Sequence, residues 1–144
     1  MPAVQTTYLQ NIPAGKAGHV ADMTQADLIS RTVETVAGIA FGLPVAQGAN
    51  DKGCIAYAGT GFLGITTRDR SVVTGELYSR YESARILKKG PIWVVASVAV
   101  VAGDPVYITP AGAFTNVATA NFLIPNARFD TSAGIGALAI IFIK

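Results

Sequence analysis

The side chains able to do chemistry are few and far apart in this sequence. There is one histidine, His19, and it lies in the polar stretch GKAGHVAD, where a solvated loop residue is the expected reading. Nucleophilic catalysis needs a base beside the nucleophile, usually histidine. The single cysteine, Cys54, cannot form an internal disulfide and sits in the apolar run CIAYA, so it reads as a small buried hydrophobe. A metal centre would need several imidazoles or thiolates, which the chain lacks. Asp22, Asp27, Asp51, Asp69, Asp104 and Asp130 are scattered, mostly beside Gly or Pro or in polar loops, as turn aspartates are. Glu34, Glu76 and Glu82 form no evident acid–base pair. The stretch GTGFLG, Gly59 to Gly64, lacks the helix and lysine of a phosphate loop. The expectation is therefore no catalytic residue, no cofactor and no metal.

Charge points the same way. The formal net charge is +2, and beyond Gly90 the only charged side chains are Asp104, Arg128, Asp130 and Lys144. Neutralising phosphates takes a stripe of Lys and Arg, so nucleic acid is not an expected partner. A cluster of charges gathers in the middle: Arg68, Asp69, Arg70, Glu76, Arg80, Glu82, Arg85, Lys88 and Lys89. They fit either a solvated hairpin edge or a polar rim. In the second reading Arg68, Arg70, Arg80 and Arg85 meet an acidic partner surface and set orientation more than affinity.

Such residues must be carried by β structure. At 144 residues the chain fits one domain with a sizeable core. It is 51% hydrophobic and 14% charged, against a typical charged share of about 25%. Short apolar runs between turn residues suggest strands at 32–40, 54–58, 62–66, 84–88, 92–101, 106–109, 113–115, 121–124 and 136–143. Turns are expected at Gly42-Leu43-Pro44, Gly48–Gly53, Gly59-Thr60-Gly61, Lys89-Gly90-Pro91, Gly103-Asp104-Pro105 and Pro110-Ala111-Gly112. Segment 75–87 reads as an extended loop entering a strand, with a helical turn as the alternative.

The apolar runs of 92–102 and 135–143 are about half the roughly 20 residues of a membrane-spanning helix, so no membrane partner is expected. In both runs the two alternating faces are apolar, which calls for cover on two sides, one from the core and the other from a loop, an arm or another protein chain. Residues 1–30 are polar, with no basic or apolar leader pattern. They read as an extended N-terminal arm ahead of a single β domain at 31–144. Val4, Tyr8, Leu9 and Ile12 are its apolar pegs toward a neighbouring subunit; a frayed tail is the plainer reading. A short helix over 24–29, capped by Thr24 with Asp27 at its third position, is a further option. The fold expected is all-β: a small β-barrel or jelly-roll-like sandwich.

The order of GHVADM, IAFGLPVAQG, FLGITTRD, ARILKKGPIWV, VVAGDPVYITPAGAFTN and IPNARFDTSAGIGALAII resembles the structural cement, or capsid decoration, proteins of tailed-phage heads. These pieces cover most of the chain after residue 17 and leave 75–87 aside. The resemblance implies a non-enzymatic virion protein with a small β-barrel or jelly-roll-like fold, made in the host cytoplasm. It implies a place on the outer surface of the capsid, bridging neighbouring major capsid protein subunits, as a homo-oligomer (dimer or trimer). Two other readings remain: another virion β-domain of a tail or fibre base, and a small β-barrel that binds an apolar ligand or acts on it.

Overall fold

One long strand organises the molecule. In the computed structural model, which describes residues 15–70 and 75–144, the chain forms eleven strands and, among the described residues, no helix. In order they are β1 (Asp27–Val33), β2 (Ile39–Ala40), β3 (Pro44–Gln47), β4 (Gly53–Ala56), β5 (Phe62–Thr66), β6 (Leu77–Tyr78), β7 (Ser83–Val95), β8 (Pro105–Ile108), β9 (Phe114–Thr115), β10 (Phe122–Phe129) and β11 (Leu138–Ile143). β7 has 13 residues, and its two halves belong to different rings of strands.

The first half closes a barrel. The hydrogen-bonded order β1-β4-β3-β5-β7 returns to its start because β1 also pairs with β7. Leu28 to Thr32 lie against Leu87 to Ser83 on one edge of β7, while Ile65 and Thr66 pair with Leu87 and Ile86 on the other. Closure leaves no free edge in this ring. The second half carries β11, with Leu138 to Ile143 opposite Val95 to Gly90, and then β10, β8 and β9. A parallel bridge between Ala96 and Phe114 brings β9 back to the end of β7. Of the two expected forms, the strand order describes the barrel.

Two cores follow from the two rings. Val33, Ile39, Phe41, Val45, Cys54, Tyr78, Ala84 and Ile86 fill the first. The second takes Ile92, Val94, Ile108, Phe129 and Ile141, and also Ala46, Ile65 and Leu87 from the first ring's strands. Ile86 and Leu87, neighbours on β7, therefore point into different cores, and both are fully buried. The β5–β7 wall is shared. The described chain supplies the two-sided cover expected of the apolar strands only in part: Ala139, Ile141 and Ile143 are buried, whereas Leu138, Ile140 and Phe142 are half-buried and Val95 is exposed.

The turn expected at Lys89-Gly90-Pro91 does not form; β7 runs straight through it. Pro91 has no N–H to give, yet its carbonyl accepts from Ala21 N at 3.1 Å, and Gly90 adopts φ 119. A strand tolerates proline and glycine together where it bends. At the other end β7 stops at Val95, so 96–101 is loop rather than strand. Asp27–Val33 is β1, not the helix considered over 24–29, because pairing with β7 overrides a cap signal worth about 1 kcal/mol. The strand expected over 32–40 is broken by a turn at Gly38, φ 78; of the turn expected at Gly42-Leu43-Pro44, Gly42 turns, with φ 75, while Pro44 already begins β3. Phe62–Thr66 falls as expected. In segment 75–87 an extended path with the two-residue β6 leads into β7.

Residues 15–21 are tied in. Gly18 N donates to Trp93 O at 2.8 Å, Trp93 N to His19 O at 2.9 Å, and Arg68 N to Gly18 O at 2.8 Å. These bonds give the second half of β7 a partner on the edge opposite β11. Glu34 does a similar job for the β3–β4 loop. Its carboxylate accepts from Ala49 N at 2.8 Å, Asn50 N at 3.0 Å and Asn50 Nδ2 at 2.8 Å, in space that Gly48 and Gly53 leave open.

Two predictions follow from this packing. A Cβ on Gly64 would sit 2.5 Å from both Ile86 Cγ2 and Leu87 O, in the shared wall. Gly64→Ala should cost about 1–3 kcal/mol, read as a lower urea midpoint; an unchanged midpoint would show that β5 and β7 are not so close. The hydrogen bonds from Asn50 and Ala49 hold the Glu34 carboxyl below its ordinary value of 4.5. A lowered folded-state value means the contribution is complete above that ordinary value and fades as pH falls through the lowered one. Amide protection at Ala49 and Asn50 should hold down to about pH 4.5 and then drop, and Glu34→Ala should remove the dependence.

Candidate interaction surface

Three loops meet at the end of the second ring: 96–104, 116–121 and 131–137. Val100 and Ala133 exchange backbone bonds of 2.9 and 3.0 Å. Ala96 N donates to Ala137 O, and Gly136 N donates back to Ala96 O. Ala102 N reaches Ser132 Oγ at 3.1 Å, and Asn116 Nδ2 reaches Ala99 O at 3.3 Å. The loops are thus one hydrogen-bonded plate rather than three independent tips.

What the plate displays is unusual for loops. Ile135 is 79% exposed, Val101 62% and Val117 47%, among Ala99, Ala102, Ala118, Ala120 and Ala137. Single exposed apolar residues mean little, but several on one surface without charge mark a contact site. The one carboxylate within these loops, Asp104, is half-buried and bonded back to the loops. Its Oδ2 accepts from Asn116 Nδ2 at 2.8 Å and Val101 N at 2.9 Å, and those bonds lower its pKa. The charge is used to hold the plate's shape.

The expected arginine rim is distributed differently. Arg68 is a clamp: its guanidinium lies 5.0 Å from the centre of the Phe41 ring, its Nε donates to Ala17 O at 3.2 Å, and its Nη1 pairs with Glu76 at 3.0 Å. That pairing lowers the Glu76 pKa. Arg70 is exposed, Arg80 stacks 4.6 Å over the ring of exposed Tyr81, and Arg85 is exposed on β7 opposite Ser30. Val4, Tyr8, Leu9 and Ile12 lie outside the described residues. The plate itself escaped the sequence reading, since Val101 and Ile135 fell inside or beside expected strands. Its signal was the absence of Lys, Arg and Glu from loops that normally carry them.

Reactive groups stay apart. Cys54 is fully buried and burial pushes its thiol up to about 11. His19 is held below its ordinary value by desolvation and then by Arg68, Arg70 and Lys16. Among the described residues no group of three or more His, Cys, Asp and Glu could hold a metal ion. The barrel interiors are filled by side chains such as Ile65, Ile86, Ile92 and Phe129. An open cleft of about 350 Å³ lies outside them, where Asp22, Arg128, Asp130 and Lys144 mix both signs of charge.

Known proteins bear on this arrangement. A solved chain from the capsid of the Myoviridae phage XM1 superposes with a TM-score of 0.75 at 18% identity, covering 99% of this chain and 98% of that one. It shares the fold. The head fiber gp8.5 N base of bacteriophage phi29 gives a TM-score of 0.49 at 10% identity, over 83% of this chain and 95% of that one. No curated protein sequence matches the chain. The family model described as structural cement protein (E217 gp24/Pam3 gp6) matches residues 4–144. Nearly the whole sequence falls within that match, and the chain belongs to the phage structural cement protein family.

Proposed function

We propose that this cement protein decorates the phage head from outside and bridges neighbouring major capsid protein subunits, with the plate of 96–104, 116–121 and 131–137 as its main contact. The observation that carries this reading is the exposure of Ile135, Val101 and Val117 on hydrogen-bonded loops whose one carboxylate, Asp104, is bonded to Asn116 and Val101. A virion protein with this surface acts as a ligand: it stabilises whichever shell state it binds better, by mass action. Each contact can be modest. Touching two subunits at once raises avidity by roughly 10²–10⁴ through effective concentration.

The plate and the arginines divide the work. Apolar contact sets affinity and changes little with salt, while Arg70, Arg80 and Arg85 steer approach and fade as salt screens them. Arg68 contributes by holding residues 15–18 in place. On the lattice the protein acts as a homo-oligomer, a dimer or trimer, which multiplies the same contact.

Mixing purified protein with undecorated, expanded capsids should give co-sedimentation at a fixed stoichiometry. Burying an Ile or Val tip is worth about 1.5–3 kcal/mol, so Ile135→Asp and Val101→Asp should each weaken binding at least about tenfold with the fold unchanged. Arg70→Glu with Arg85→Glu should slow association at low salt only. Protein that stays in the supernatant, or tip variants that bind like the parent, would remove this reading.

A further inference from the structure

The first ring ends in a strained corner that folding alone does not explain. Ser79 to Glu82 form a turn just ahead of β7: Glu82 N donates to Ser79 O at 3.1 Å, and Ser79 N donates to Glu82 Oε2 at 2.7 Å. Tyr81 N donates to Val33 O at 2.8 Å, which fixes the turn to the end of β1. Tyr81 stands at the third position of the turn with φ 71. That left-handed conformation suits Gly or Asn, and a bulky side chain keeps it only where surrounding bonds hold it. Among the described residues other than glycine, Ala120 and Asn126 share it, and neither carries a ring.

The ring gives the core little in return, since Tyr81 is 70% exposed. The Arg80 guanidinium lies 4.6 Å from its centre, so a flat amphipathic surface is held outward beside a positive charge. The turn's one carboxylate, Glu82, is taken up by Ser79 N. Tyr and Arg are the side chains that most often anchor protein contacts. Beside this turn runs another, 35–38, closed by Gly38 N to Thr35 O at 3.0 Å, and it displays Val36 at 76% exposure. A Cβ on Gly38 would lie 2.5 Å from Tyr78 O, so the two turns are packed into one corner.

Position gives the corner its use. β7 starts at Ser83, directly after the strained turn, and ends at Val95, where the first loop of the plate begins. Its 13 residues span up to about 40 Å at about 3.3 Å per residue. Bridging two subunits requires two separate contacts on one body, and β7 carries one at each end. We propose that the corner of Tyr81, Arg80 and Val36 is the second contact, docking on an acidic, apolar-lined region of a second major capsid subunit while the plate holds the first. This rests on the bridging role proposed above and assigns the surface that completes it. The strain at Tyr81 is stability given up to hold the ring toward that partner.

Tyr81→Asn separates docking from folding, because Asn accepts positive φ. The urea midpoint of the free protein should rise, while co-sedimentation with undecorated, expanded capsids should weaken at least about tenfold, as loss of one of two linked contacts requires. Val36→Asp should weaken binding as well, which keeps the test independent of the strained residue. A midpoint that falls in Tyr81→Asn would give the tyrosine a structural role and overturn the proposal. So would Tyr81→Asn and Val36→Asp variants that bind like the parent while Ile135→Asp binds weakly; the plate would then stand without the corner. Ile135→Asp binding like the parent, with Tyr81→Asn weakened, would support the corner and remove the plate instead. A solution mass that drops in Tyr81→Asn without capsids would assign the corner to a second copy and overturn the proposal.

Discussion

Everything in this molecule depends on β7 meeting its hydrogen-bonding needs in two rings at once. Unpaired backbone groups inside a protein cost about as much as a lost hydrogen bond, so a strand shared by two cores must be paired on both edges along its length. β1 and β5 do this for the first half; β11 and residues 18–21 do it for the second. Lys88, Lys89 and Gly90 lie at the change-over, where the strand passes from one set of neighbours to the other. The wall so formed has Ile86 on one side and Leu87 on the other, each without solvent contact.

That shared wall explains how a chain with so few reactive groups serves a structural purpose. Two small barrels joined only by a linker would swing against each other. Two barrels with a strand in common move as one body, and their outer loops keep fixed positions. The aromatic contacts between Tyr57, Phe62 and Phe122, with ring centres 6.0–6.3 Å apart, add a second join between the rings. A rigid body loses little conformational freedom when it docks, which favours binding through a modest apolar plate. Cement proteins need shape held steadily more than they need a reactive side chain.

Much of this was legible in the sequence, and the misses share a cause. Phe62–Thr66 is a short apolar run bounded by Gly61 and polar residues, so local pattern sufficed there. The Lys-Lys-Gly-Pro stretch carries a strong turn signal, but the turn would have unpaired β1, β5 and β11 together, and long-range pairing prevailed. β1 suffered in the opposite sense: Asp27, Ser30 and Arg31 make it look polar, though β7 holds it along six residue pairs. Apolar faces on both sides of a strand were visible as a pattern; the pattern could not say that the core would bury Ala139, Ile141 and Ile143 and leave Leu138, Ile140 and Phe142 half-buried. The plate was hidden because Val101 and Ile135 continue apolar runs whose ends only the hydrogen bonds define.

The most direct test of the shared wall uses two residues that occur once each, Cys54 in the first core and Trp93 in the second ring. Thiol reactivity of Cys54 and emission of Trp93 should be followed through one urea titration. If β7 makes a single cooperative body, the two curves coincide with one midpoint. Cys54 becoming reactive while Trp93 still reports a native environment, or the reverse, would show two separable barrels and contradict the account.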